Sequence, residues 1–213
     1  MSSIPDGLPT HAKRVFKSDA THTEIWQWEQ KLYDGSTKTF EKIKRPDTVE
    51  VIAAVGDKII IEEQEQPGYD RPFVCVPGGQ ADHANGRATP GGGQAGHASG
   101  RAGHGGDLLA SAQQELLEET GYVSDDWEPW FSVTPSKRHI YSVHYFIARN
   151  CRYAQPPDPG PGEKVTTRLV PFDEFLMLSE EPDFRGGDLV NHLLRMRLYP
   201  EECEAFRRRL FKS

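Results

Sequence analysis

The chain predicts an α/β or α+β fold, with strands and helices mixed in one compact unit. Three observations predict it. Short runs of alternating apolar residues recur between positions 23 and 76, turn dipeptides separate them, and helical spacing recurs once before Gly121 and three times after Pro171. Residues 23–33 alternate well enough for a strand, Asp34-Gly35 is a turn signal, and 37–43 returns as its partner in a hairpin. Residues 48–54 and 58–62 read as a second antiparallel pair around Gly56-Asp57, and 71–76 leads into the diglycine Gly78-Gly79. Residues 127–134, 140–148 and 166–170 look like further strands; 172–178, 188–198 and 200–211 carry helical spacing.

The chemistry is concentrated in residues 114–122, which read Gln-Glu-Leu-Leu-Glu-Glu-Thr-Gly-Tyr. On a helix turning about 100° per residue, Glu119 lies roughly 40° from Glu115, and Glu118 falls about 60° to its other side. Three carboxylates therefore share one face. Leu109, Ala112, Leu116 and Leu117 occupy the neighbouring arc, so the helix can pack on a core while the glutamates point away from it. Asp107 suits the N-cap and Gly121 a left-handed C-cap. Like charges one turn apart repel by a few tenths of a kcal/mol. Such a cluster is either a solvated acidic face or a seat for a divalent cation, and hard oxygen donors suit magnesium or manganese better than zinc.

Glu-Leu-Leu-Glu-Glu-Thr-Gly-Tyr resembles the second half of the Nudix box, and Val76-Pro77-Gly78-Gly79 resembles the strand end and diglycine that open it. The halves are separated by some 21 extra residues. The insert contains a tandem repeat: residues 78–88 recur as 92–102 with nine of eleven positions identical. Rich in glycine and alanine, without a large apolar residue from 80 to 106, it reads as a mobile loop. His83, His97 and His104 are either a metal cluster or passengers of the duplication. Two positions depart from the box, Gly106 standing for its first glutamate and Gln114 for its arginine. The supporting groups of the remaining carboxylates are thereby altered, a change that typically costs about 10-fold to 100-fold in metal affinity or activity.

The resemblance implies a Nudix-type α/β/α sandwich with a mixed sheet and an N-terminal antiparallel hairpin. Residues 1–46 would form that extension, and 47–213 the hydrolase domain with its insert at 80–106. Outside the box, residues 13–180 look most like the ADP-ribose pyrophosphatase branch. It implies Glu115, Glu119 and Glu118 as metal ligands for Mg²⁺ or Mn²⁺, joined by the carbonyl of Gly78, with Gly79 beside it on the substrate side. Glu163, in Gly162-Glu163, matches a loop glutamate that takes a proton from the attacking water; read from its residues alone it is equally a loop glutamate in a Pro/Gly-rich segment. Thr134-Pro135-Ser136 resembles a substrate-side motif, which makes Pro135 a candidate contact. Arg45 is either a phosphate or ribose contact or a surface cation, and Trp28 with Trp26 is either hairpin packing or a platform for adenine.

The expected activity is Mg²⁺-dependent hydrolysis of a nucleoside diphosphate linked to another group, ADP-ribose or an ADP-sugar first, giving AMP and a sugar phosphate. Dinucleotides remain open, as does a nucleotide-binding module without turnover. The branch implies a homodimer paired through the hairpin. Composition sets limits on the alternatives. A net charge of −7 leaves no electrostatic footprint for nucleic acid. No apolar run approaches the roughly 20 residues that span a bilayer, and residues 1–13 lack a signal peptide's apolar segment, so a cytoplasmic protein is expected. Cys75, Cys151 and Cys203, odd in number and far apart, read as reduced thiols. Arg207-Arg208-Arg209 reads as the solvated face of a helix.

Overall fold

The computed structural model describes residues 4–81, 108–160 and 162–212. The repeated insert, its histidines, Gly106 and the expected cap Asp107 lie outside the described residues, apart from Gln80 and Ala81 at its edge. The chain divides into two compact units, Met1–Thr48 with Ser132–Val143, and Val49–Phe131 with His144–Ser213.

The first unit is a four-stranded sheet in the order β1 (Lys13–Lys17), β2 (Glu24–Lys31), β3 (Thr37–Lys44), β10 (His139–Ile140). Strand β1 (Lys13–Lys17) was not foreseen, since its short run shows no clean apolar alternation. The expected hairpin is β2 (Glu24–Lys31) against β3 (Thr37–Lys44), in register from Glu24↔Lys44 to Lys31↔Thr37. Its turn closes where Asp34 Oδ1 accepts from the Ser36 N–H at 2.9 Å and the Ser36 hydroxyl at 2.6 Å.

The second unit is built on a seven-stranded sheet. Its central strands are β4 (Thr48–Val55) and β5 (Lys58–Glu65), paired antiparallel through Ala54↔Ile59 and Val55↔Lys58. Short β6 (Phe73–Cys75) pairs with β5, and β7 (Gly78–Gln80) with β4. After helix α1 (Leu108–Thr120) come β8 (Tyr122–Val123) and β9 (Asp126–Val133). The run 140–148, read as one strand, is two. Strand β10 (His139–Ile140) pairs parallel with β3, whereas β11 (Val143–Arg149) joins the larger sheet. The break falls at Ser142, whose N–H donates to Asp47 Oδ1 at 2.8 Å and whose carbonyl accepts from Thr48 N–H at 2.9 Å, so its backbone leaves the ladder. Strand β12 (Arg152–Tyr153) pairs with β8, and β13 (Lys164–Pro171) runs antiparallel to β5 from Lys164↔Glu65 to Pro171↔Lys58. Helices α2 (Phe172–Met177), α3 (Leu189–Leu198) and α4 (Pro200–Leu210) complete the chain, with a 3₁₀ turn at Leu178–Glu180.

Period-two alternation sorts the sheet into two apolar faces. Val49, Val51, Ala53, Ile60, Phe146 and Ala148 pack against Ala112 and Leu116 of α1. The opposite face carries Tyr145, against which Phe131 stacks at 4.2 Å; Trp130 continues to Phe206 of α4 at 4.5 Å. Helices cover both faces, the α/β/α arrangement that the sequence resemblance implies. All three cysteines are free. Among the described residues no helix is long and apolar enough to cross a membrane.

Strand β11 ends in Arg149, 1% exposed. Its guanidinium pairs with Asp126 at 2.8 Å and with Glu128, and its Nε donates to the carbonyl of Arg209 in α4. Arg209 itself reaches Glu128 at 2.6 Å and clamps α4 to β9, unlike the solvated face expected of it, whereas Arg207 pairs at 2.9 Å with the exposed Asp173 and stays on that solvated face. Burial pushes Glu128 upward, but the hydrogen bonds from Arg149 and Arg209 outweigh it and hold the carboxyl below its ordinary range. Breaking a buried pair leaves an uncompensated charge, so Asp126→Ala with Glu128→Ala is expected to cost about 3–5 kcal/mol in urea unfolding. Because the folded value of Glu128 is depressed, its contribution is present above the unfolded carboxylate value and lost as pH falls through the folded one. The acid limb of a stability–pH curve will be shallower in Glu128→Gln than in the parent.

Candidate functional site

Parity on β5 builds the site. Ile60, Glu62 and Gln64 alternate onto one face; Ile60 lies in the core beneath α1, and the next two same-side positions are polar yet buried. Glu62 is 0% exposed, Gln64 3%, and Glu119, arriving from α1, 4%. The Gln64 amide donates to Glu62 Oε2 at 2.7 Å and to Glu119 Oε1 at 3.1 Å, so one side chain holds two carboxylates. The other Glu119 oxygen accepts the Gly78 N–H at 2.7 Å.

The diglycine is dictated by close approach. A Cβ on Gly78 would stand 2.2 Å from the Val49 carbonyl oxygen and 2.9 Å from the Glu50 Cα, whereas one on Gly79 would stand 2.4 Å from Glu115 Oε1. Glu115, half-buried one turn before Glu119, therefore lies directly against this corner. Gly121 ends α1 with φ +76 and its N–H bonded to the Leu117 carbonyl at 2.9 Å, the left-handed cap expected.

Burial is the first cause that drives the carboxyls of Glu119 and Glu62 above their ordinary range. Around Glu119 the like charges of Glu62, Glu115 and Glu163 add to it, while the Gly78 N–H opposes it. Glu62 and Glu119 face one another across the Gln64 amide from which both accept. The Cys75 thiol lies 3.8 Å from Glu62 Oε2, and burial followed by the charges of Glu62, Glu119 and Glu50 keeps it protonated. Glu62 Oε1 is buried with no hydrogen-bond partner among the described residues.

A second amide extends the network. Gln66 Nε2 donates to Gln64 Oε1 at 3.0 Å and to Glu163 Oε1 at 3.3 Å, so Glu163 is tied to Glu119 through two glutamines. Glu118 turns elsewhere: its Oε1 accepts from Gln114 Nε2 at 3.0 Å, so the residue in the box arginine's place engages one glutamate of the trio.

The structure thus brings Glu115, Glu119, Gly78, Gly79 and Glu163 together and adds Glu62, Gln64 and Gln66. Those three carry no local motif, since Glu62 stands at the outer end of a strand run; its parity with Ile60 is the one signal in the sequence. Arg45, Trp28 and Pro135 belong to the first unit. There Arg45 lies over the Tyr141 ring at 4.6 Å, Trp28 stacks on Phe40 at 6.0 Å and Pro135 is exposed. Trp26 is 3% exposed, its Nε1 donating to Glu24 Oε2 at 2.8 Å.

The donors gathered here are hard carboxylate oxygens, the kind a divalent cation takes, but among the described residues no group of three or more His, Cys, Asp or Glu is arranged to hold a metal ion.

No protein-family model and no curated protein sequence matches the chain. Among solved structures, one titled "Crystal structure of ADP compounds hydrolase" matches 88% of this chain and 91% of its own with a TM-score of 0.63 at 18% identity. The fold is shared with that protein.

Gly78→Ala meets backbone and is expected to cost about 1–3 kcal/mol in urea unfolding. Gly79→Ala meets the end of a flexible side chain, which can swing, so its cost should be the smaller of the two. The reverse order would contradict the close approach described.

Proposed function

We propose that the chain is a Nudix-type pyrophosphohydrolase that splits a nucleoside diphosphate linked to another group, with ADP-ribose or an ADP-sugar as first substrate and AMP and a sugar phosphate as products. The observation that carries this reading is the convergence of Glu115 and Glu119 on the Gly78–Gly79 corner, surrounded by charges of their own sign. The fold shared with an ADP compounds hydrolase supports it.

Glu115, Glu119 and the carbonyl of Gly78 would hold Mg²⁺ or Mn²⁺, with Glu118 released from Gln114 as a further ligand. When bound, such a cation neutralises the diphosphate oxygens and acidifies a water. The chain's own residues do the rest. Gln64 aims Glu119 and keeps it from recoiling from Glu62. Gln66 holds Glu163 where it accepts the proton of the water that attacks phosphorus. Gly79 leaves the Glu115 carboxylate room that any larger residue would fill. The protein would act in the cytoplasm as a homodimer paired through the N-terminal hairpin; light scattering that finds only a 23.9 kDa particle would contradict the dimer.

A binding module that recognises a nucleotide without turnover is the second reading, favoured by the Gln114–Glu118 hydrogen bond in the place of a box arginine. AMP release from ADP-ribose with Mg²⁺ decides between them. Glu119→Gln is expected to lower kcat by more than the roughly 100-fold typical of losing a supporting group, with AMP still bound. Absent turnover in the parent protein, with nucleotide binding retained, would overturn the enzyme reading.

A further inference from the structure

A second concavity lies far from the acid cluster, at the other end of β5. Lys58 opens that strand opposite Pro171, whereas Glu62 and Gln64 stand toward its close, so about 20 Å of strand separates Lys58 from Gln64. Here the Gly56-Asp57 turn, the start of α2 and the end of α4 enclose a cavity of about 490 Å³, within the range of small-ligand sites. The proposed hydrolysis uses none of it.

Three kinds of group line the cavity. Its apolar part is aromatic: Phe172 and Phe211 meet edge to face, their ring centres 5.9 Å apart. Its cationic part is Arg207 and Arg208. The Arg207 guanidinium lies 4.5 Å from the centre of the Phe172 ring, and one of its outer nitrogens pairs with Asp173 at 2.9 Å. Its Nε is buried and has no hydrogen-bond partner among the described residues, a donor that is costly to leave unmet. Arg208, one residue on, is exposed and makes no ion pair among the described residues. The acidic part is Asp173 together with Asp57, which is exposed in its turn and likewise without an ion pair there.

These charges cancel, two guanidiniums against two carboxylates. A dianion such as phosphate would meet both acids as well as the arginines, and a plain cation would meet both arginines. A purely apolar molecule would strip water from all four groups. A small molecule with one charge of each sign beside an apolar group leaves none of them opposed.

We infer that the cavity binds a zwitterionic amino acid with an apolar, aromatic side chain. Its carboxylate takes Arg208 and the unmet Arg207 Nε, its ammonium takes Asp57, and its ring lies against Phe211 and Phe172. Asp173 stays with Arg207. Once seated, the ligand ties the end of α4 to the β4–β5 turn, so binding stabilises the fold.

Calorimetric titration of the full chain tests this, with the thermal midpoint as a second readout. L-Phenylalanine is compared with three probes that each lack one feature: phenylpropionate has no ammonium, phenethylamine no carboxylate, and glycine no apolar group. Phenylalanine is expected to bind saturably and raise the midpoint, and each probe to bind about 10-fold or more weakly than it does. Two substitutions at exposed positions separate the contacts. Arg208→Ala should weaken phenylalanine and phenylpropionate about 5-fold or more while sparing phenethylamine. Asp57→Asn should weaken phenylalanine and phenethylamine to a similar degree while sparing phenylpropionate. The inference is overturned if phenylalanine shows no saturable binding at millimolar concentration, if a probe lacking one charge binds as tightly, or if either variant keeps the parent's affinity for phenylalanine.

Discussion

Two carboxyls buried side by side are the constraint on which the rest of the site depends. Isolated ionised carboxylates do not survive in a dry interior; they are neutralised, hydrogen-bonded or matched by a cation. Glu62 and Glu119 are met here by a single amide, Gln64, and by one backbone N–H from Gly78. That solution satisfies three oxygens and leaves Glu62 Oε1 without a partner. It also fixes the geometry around it, because the Gly78 N–H reaches Glu119 only if the diglycine presses on Val49 and Glu115 closely enough to exclude a side chain.

Core and site are two ends of the same elements. Ala112 and Leu116 anchor α1 on the sheet, while Glu115 and Glu119, one residue before and three after Leu116, leave that apolar arc. On β5, Ile60 closes the core and Glu62 opens the acid cluster, so the strand changes from apolar to acidic without changing face. Glu163, just before β13, is brought within reach because β13 pairs with β5 along its whole length and sets Lys164 opposite Glu65. The glutamines then convert strand register into a chain of hydrogen bonds between acids that would otherwise repel.

Much of this was legible beforehand where local chemistry decides. The hairpin of β2 and β3 follows from alternation and the Asp34-Gly35 turn, the end of α1 from Gly121, and the helices after Pro171 from their spacing. Where partners decide, the reading failed. Residues 140–148 alternate as one strand, yet Asp47 captures the Ser142 N–H and divides them between two sheets. Arg209 looks solvated in a basic run, yet Glu128 faces it. Trp28, open to two readings, stacks on Phe40, and Arg45 lies on Tyr141.

The glutamates of α1 were evident in the sequence because helical periodicity is a property of neighbours three and four residues apart, and no distant contact is needed to put Glu115 and Glu119 on one face. The diglycine was evident because glycine's missing side chain is written in its name. What only the tertiary structure decided is which acids face one another. Glu62 lies 57 residues from Glu119 in sequence, and its charge belongs to the site only because β5 packs beneath α1 on the side that β-alternation assigns to Ile60. Burial, which turns an ordinary strand glutamate into a member of the acid cluster, is a property of that packing and has no local signature.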